Sequence, residues 1–157
     1  MAVQVATQLS RQEDAGRTAQ LLQFDPAAGL VAVSVGDLDT AAAVGVLVPG
    51  IRTTPEDDLD GMLGDAVDVT AAATAAAPGL AVAAVAWLGY RTPGIRTAPT
   101  LGPARVGGPA LDRALDGLQA ARSTPDSAPA PRTTVLAHSY GTVVTRRGSA
   151  GTGAAGR

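Results

Sequence analysis

The 157 residues contain no cysteine, lysine or asparagine, and only four are aromatic: Phe24, Trp87, Tyr90 and Tyr140. Without cysteine there is no disulfide, no thiolate metal site and no cysteine nucleophile. With so few rings, any core must be built from small side chains, chiefly Ala and Val, packed closely. Positive charge rests on 12 arginines against 14 acids, a net of −2. Sequence-independent binding to phosphate backbones or anionic membrane needs clustered basic charge, so this overall balance predicts neither nucleic acid nor membrane as a partner.

The length suits one domain. The opening MAVQVATQLS has neither a basic start nor a sustained apolar run, so it carries no secretory signal, and a cytoplasmic location is the expectation. The weakly polar stretch from Ala71 to Leu88 is interrupted by Pro78-Gly79 where a spanning helix would have to be unbroken. It reads as a helix end, a turn and a strand.

Along the chain, Ser10 to Gln23 reads as a helix, with Ser10 as cap and Glu13 three residues on; Asp25-Pro26 and Gly29 follow as breakers. Leu30 to Val35 and Val44 to Val48 are Val-rich runs of strand length. Their connection is too short for a parallel crossover, so direct pairing would be antiparallel. Thr54-Pro55-Glu56-Asp57 is a helix start with a capping hydroxyl, proline at the first position and acids at the positive dipole end. Leu59, Met62, Leu63, Ala66, Val67 and Thr70 give that helix one apolar stripe to about Ala77. Leu80 to Leu88 reads as a strand buried on both faces, Gly89 to Gly108 as loop, Pro109 to Arg122 as a second helix, and Ser123 to Pro131 as a linker. A strand begins near Thr133. Strands joined by helices in this order predict an α/β fold with right-handed crossovers.

The segment RTTVLAHSYGTVV, Arg132 to Val144, is a β run that ends in Ala137-His138-Ser139-Tyr140-Gly141 before a helix-compatible run. This is the outline of a nucleophile elbow. A serine on a sharp strand-to-helix turn presents its hydroxyl clear of the sheet, and small residues two positions to either side avoid collisions. Ala137 and Gly141 occupy those positions. The Tyr140 amide, at the start of the following helix, is the expected oxyanion donor. The bland alternative is an ordinary serine in a turn.

Taken with further landmarks, the chain resembles the DUF1023 family of actinobacterial α/β-hydrolases from about Leu21 to Val144. The landmarks are LLQFDP (from Leu21), VAVSVGDLDTA (from Val31), VGVLVPGIRTT (from Val44), LGDA (from Leu63), AWLGYRTP (from Ala86) and AHSYG (from Ala137). The resemblance implies the N-terminal part of an α/β-hydrolase fold: a mostly parallel sheet with an antiparallel strand, lacking the C-terminal strands. It divides the chain into an N-terminal helical segment and linker (1–29), a partial hydrolase domain (30–144) and a disordered tail (145–157). It also implies a serine hydrolase acting on an ester, thioester or similar acyl bond of a small molecule, with no cofactor. Ser139 would be the nucleophile, and the amide of Ile51 or Arg52 the second oxyanion donor.

Two features depart from that pattern. The elbow starts with Ala137 where the family usually has Gly, a replacement small enough to fit. In α/β-hydrolases the triad acid and histidine follow the serine, yet TRRGSAGTGAAGR after Val144 holds no Asp, Glu or His. His138, the sole histidine, adjoins Ser139 in a turn that carries its ring away from the hydroxyl, so it is not expected to act as the base. The Gly- and Arg-rich tail reads as a truncated or frameshifted end. A non-catalytic fragment, or an interaction module binding a protein at the open sheet edge, is therefore the competing expectation.

Other residues have plainer readings. Glu56, Asp57, Asp58 and Asp60 read as solvated acids in a first helical turn, not as metal ligands. Gly151 to Gly156 fits G-x-G-x-x-G, but no strand precedes it. Trp87 and Tyr90, at the end of a strand, could line a pocket, with core packing favoured for Trp87, and Arg52, Arg91 and Arg96 read as solvated loop charge before contacts to an acidic or carbonyl substrate.

Overall fold

In chain order the elements are helix α1 (Ala2–Asp14), strands β1 (Ala19–Asp25), β2 (Leu30–Val35) and β3 (Ala43–Val48), helix α2 (Pro55–Ala76), strand β4 (Val82–Leu88), helix α3 (Gly102–Ala121), strand β5 (Arg132–Ala137) and helix α4 (Gly141–Thr152). They come from a computed structural model that describes residues 1–123 and 128–152. The five strands form one sheet in the order β1-β2-β4-β3-β5. β2 alone runs against the other four, pairing antiparallel with β1 and β4, while β3 pairs parallel with β4 and with β5. β2 and β3 do run in opposite directions, but they are not neighbours, because β4 lies between them.

Strand order fixes where the helices go. The chain steps from β3 to β4 in one sense and from β4 back past β3 to β5 in the other, so right-handed crossovers place α2 and α3 on opposite faces. Side chains on β4 accordingly divide with a period of two. Ala84, Ala86 and Leu88 pack with Leu59, Leu63 and Ala66 of α2, whereas Ala83, Val85 and Trp87 pack with Ala104 and Leu111 of α3 and Val144 of α4. Burial of Leu59 and Leu63 stabilises the fold by about 2 kcal/mol each. The α2 stripe read from the sequence is this contact, and Thr54 caps the helix by accepting the Asp57 amide at 3.2 Å.

Four sequence expectations are corrected. The segment Ser10 to Gln23 is not one helix: α1 starts at Ala2 and ends at Asp14, Gly16 follows at φ 71, and Leu21 and Leu22 lie in β1. β1 is bulged between Leu21 and Gln23 and hydrogen-bonds to β2, so the sheet begins before residue 30. Residues 102–108 are not loop, since α3 starts at Gly102 and carries Pro109 inside it. There Gly107 and Gly108 meet α4, and a Cβ on Gly108 would lie 2.8 Å from the Gly148 amide nitrogen. This close helix–helix approach outweighs the poor helix propensity of the Gly-Gly-Pro run. Finally, α4 continues to Thr152, so 145–152 is helix and not disordered tail, whereas 153–157 and 124–127 lie outside the described residues.

Among the described residues no helix is long and apolar enough to cross a membrane. Arg122, just past α3, is buried, and its guanidinium donates to the carbonyls of Leu38 (2.6 Å), Ala41 (3.1 Å), Ala128 (3.2 Å) and Pro129 (2.8 Å). It ties the β2–β3 connection to the approach to β5.

Candidate functional site

In open α/β sheets the crevice for ligands lies outside the carboxyl ends of the strands where successive crossovers leave on opposite faces. Here that place is between the ends of β3 and β5, whose following helices lie on opposite faces of the sheet. The turn holding Ser139 and the loop from Pro49 to Thr53 meet there.

Ser139 sits at φ 52, in the left-handed region that costs a residue with a side chain about 1–2 kcal/mol. Its surroundings hold it there. The His138 amide donates to the Val48 carbonyl at 3.2 Å and the Gly141 amide to the His138 carbonyl at 2.9 Å. The Thr142 hydroxyl donates to the Ser139 carbonyl at 2.7 Å. Tyr140 points inward, its hydroxyl donating to the Thr100 carbonyl at 2.6 Å and accepting the Ala104 amide at 3.2 Å. Ser139 and His138 remain exposed while Tyr140 is buried. Gly141 is required by contact: a Cβ there would lie 2.5 Å from the Val48 carbonyl oxygen and 2.8 Å from that of Pro49. Ala137, the other small position, ends β5 opposite Val48.

The facing loop is fixed by the segment after β4. The Tyr90 hydroxyl donates to the Pro49 carbonyl at 2.7 Å, the Arg52 amide to the Pro93 carbonyl at 3.0 Å, and the Thr92 hydroxyl to the Thr53 carbonyl at 2.8 Å. Burial, followed by the nearby Tyr140, pushes the Tyr90 phenol well above its ordinary value. Gly50 brings the loop onto the turn, because a Cβ on it would lie 3.0 Å from the Ser139 Cβ and 3.2 Å from His138 Nδ1.

Of the two amides open in the sequence reading, that of Arg52 is already bonded to Pro93, which leaves Ile51. Among the described residues, the amides of Ile51 and Tyr140 donate to no protein acceptor, and the Ser139 hydroxyl has no hydrogen-bond partner. No hydrogen bond joins the His138 and Ser139 side chains. A groove of about 640 Å³ opens beside the turn between α2 and β5, reached by Gly50, Ala137 and His138 and floored by Leu47 and Leu136.

The remaining candidates take structural places. Asp57 and Asp58 accept hydrogen bonds from the Thr54 hydroxyl (3.1 Å) and amide (2.8 Å), and Asp60 pairs with Arg11 at 3.3 Å. The described residues hold no group of three or more potential metal ligands. Trp87 is core, stacked on Tyr90 with ring centroids 5.9 Å apart. Arg52, Arg91 and Arg96 are exposed, and Arg91 donates to the Ala28 carbonyl at 2.9 Å. The Gly151 to Gly156 pattern falls partly outside the described residues. Sequence reasoning missed Gly50 and Tyr90 as the pair that sets the loop; the only signal was the Pro49-Gly50 dipeptide directly after a Val-rich strand.

A family model described as alpha/beta hydrolase matches residues 25–155. The uncharacterized protein Rv2079 of Mycobacterium tuberculosis is 34% identical over 129 residues, which make up 77% of this chain and 19% of that protein. The uncharacterized protein Mb0988c of Mycobacterium bovis is 36% identical over 128 residues, 77% of this chain and 47% of that protein. The chain therefore spans less than half the length of these curated relatives.

Proposed function

This chain belongs to the alpha/beta hydrolase family, and from that premise we propose that it is a serine hydrolase acting on an ester, thioester or similar acyl bond, with Ser139 as nucleophile. Within the family, the landmark segments from LLQFDP to AHSYG favour the DUF1023 group. The observation that carries the reading is the pairing of a left-handed, exposed Ser139 with the unpartnered amides of Tyr140 and Ile51 at the β3/β5 crevice. Attack by the Ser139 oxygen on an acyl carbon would place the developing oxyanion where such amides stabilise it. Gly50 leaves room for the carbonyl group above the serine, and Ala137, His138 and Gly141 shape the turn. No Asp, Glu or His follows Ser139 in the 157 residues, so the reading rests on the nucleophile and the two amides and names no triad base or acid. The test is covalent labelling with a fluorophosphonate: wild-type protein is labelled, slowly for want of the base, and Ser139→Ala is not. Folded wild-type protein that stays unlabelled would establish a non-catalytic chain.

A second reading rests on β5. It is an edge strand with alternating exposure, and Leu136 is 42% exposed on it. Its unpaired edge offers main-chain donors and acceptors to a partner strand. A right-handed crossover from α4, which shares a face with α3, also arrives on that edge. A protein that remains monomeric and unaggregated at high concentration would count against this interaction-module reading.

A further inference from the structure

From Val69 to Leu111 the chain carries no acid, and within that stretch Arg91, Arg96 and Arg105 fall in one short segment. The same segment exposes three large apolar side chains, Ile95 (64%), Leu101 (40%) and Val106 (69%). It is folded, not loose: successive turns are closed by the Thr97 and Ala98 amides on the Gly94 carbonyl and by the Thr100 amide on that of Thr97. Among the described residues, the guanidinium groups of Arg96 and Arg105 have no partner.

Both ends of the segment are fastened to the candidate site. Pro93 accepts the Arg52 amide, and Thr100 accepts the Tyr140 hydroxyl. The acids lie elsewhere. α2 carries Glu56, Asp57, Asp58, Asp60, Asp65 and Asp68 with no arginine, and it packs on the sheet face opposite α3. α3 also holds Asp112 and Asp116 beside Arg105 and Arg113, so the uneven charge is an acid excess on α2 set against an acid-free, arginine-bearing stretch from Val69 to Leu111. Such unevenness orients a molecule in the field of a charged surface.

We propose that residues 91–106 dock the protein on an anionic lipid surface, with Ile95, Leu101 and Val106 entering the interface and Arg91, Arg96 and Arg105 meeting lipid phosphates. Single exposed apolar residues need no explanation, but three of them interleaved with three arginines have the composition of an interfacial anchor. Docking would bring the Ser139 turn to acyl compounds presented at that surface, a consequence that rests on the hydrolase reading, although docking itself does not.

Co-sedimentation with large unilamellar vesicles tests it. The protein should bind vesicles of phosphatidylcholine containing phosphatidylglycerol and not vesicles of phosphatidylcholine alone. Each arginine lost should lower partitioning about fivefold, so Arg96→Gln with Arg105→Gln lowers it about 25-fold. High salt should abolish it. Ile95→Ser with Val106→Ser should weaken binding while leaving its salt dependence in place. Ser139→Ala should bind as wild type does, which separates failure of the nucleophile from failure of the surface. Equal binding to both vesicle types, no binding to either, or a double-arginine variant that binds unchanged each overturns the proposal. The second of these results would also be the one given by a segment that docks an acidic protein instead.

Discussion

The Tyr90 hydroxyl donates a 2.7 Å hydrogen bond to the Pro49 carbonyl, joining residues 41 positions apart at the end of β4 and the end of β3. The loop facing Ser139 therefore takes its position from the segment that follows β4, which also holds it through Thr92 and Pro93.

Tyr90→Phe removes the donor and leaves the Pro49 carbonyl unsatisfied in a buried place, at a cost of about 1–2 kcal/mol. The expected result is a melting temperature lower by roughly 2–8 °C, with slower fluorophosphonate labelling of Ser139. A variant that melts and labels as wild type does would remove Tyr90 from the account of the site.

Burial also predicts how stability depends on pH. The Tyr90 phenol is raised in the folded protein, so the neutral form is favoured there over the unfolded chain, whose tyrosines titrate near their ordinary value of about 10. The stabilisation is complete below that value and is lost as pH rises above it towards the folded value. Unfolding midpoints measured from pH 8 upward should fall beyond about pH 10, and Tyr90→Phe should flatten that fall. Tyrosinate absorbance that appears near pH 10 in folded wild-type protein and is missing in Tyr90→Phe would contradict the assignment.

Gly50 and Gly141 differ in what a methyl group would strike. At Gly141 it meets two backbone carbonyl oxygens, which cannot swing aside, so Gly141→Ala should destabilise by about 2 kcal/mol. At Gly50 the contacts are looser, with Ser139 Cβ at 3.0 Å, His138 Nδ1 at 3.2 Å and the His138 carbonyl oxygen at 3.3 Å, so Gly50→Ala should cost less stability than Gly141→Ala while labelling of Ser139 drops about tenfold. Equal effects of the two substitutions on stability, measured by urea unfolding, would show that the loop does not lie over the turn as described.

Arg122 has no carboxylate within ion-pair distance among the described residues and spends its guanidinium on four carbonyl groups. Arg122→Ala should cost about 3 kcal/mol or more, since charge-assisted bonds are lost and buried carbonyls are left without donors. Arg122→Lys should recover less than half, because one ammonium cannot span the spread of acceptors that a planar fork reaches. Full rescue by lysine in thermal unfolding would mean that charge alone holds the β2–β3 connection.

Strands β2 to β5 and α2 were legible because their signals are local: apolar β runs, a capping threonine followed by proline, and an apolar stripe. The strand, the sharp turn at Ser139 and the helix after it were legible for the same reason, as consecutive residues between a β run and a helix-compatible run. What was not legible depends on contacts distant in sequence. Ser10 and Glu13 imitate a helix start inside a helix already begun, and Leu21-Leu22 belong to a strand only because β2 is there to pair with them. Residues 102–108 look like a loop until α4 is seen crossing Gly108. The choice between the Ile51 and Arg52 amides needed the Pro93 carbonyl, 41 residues from Arg52. A net charge, being a sum, carries no information on where along the chain the charges fall.

The crossing of α3 and α4 has a mechanical meaning. At Gly108 and Gly148 the two helices touch backbone to backbone, while Gly107 packs on the Tyr90 ring and Val144, and Gly148 also meets the Asp112 carboxylate. α3 begins inside the arginine-bearing segment, at Gly102, and α4 begins two residues after Ser139. A load applied to that segment is therefore delivered to the serine turn as the displacement of a stiff lever, with little compliance along the way.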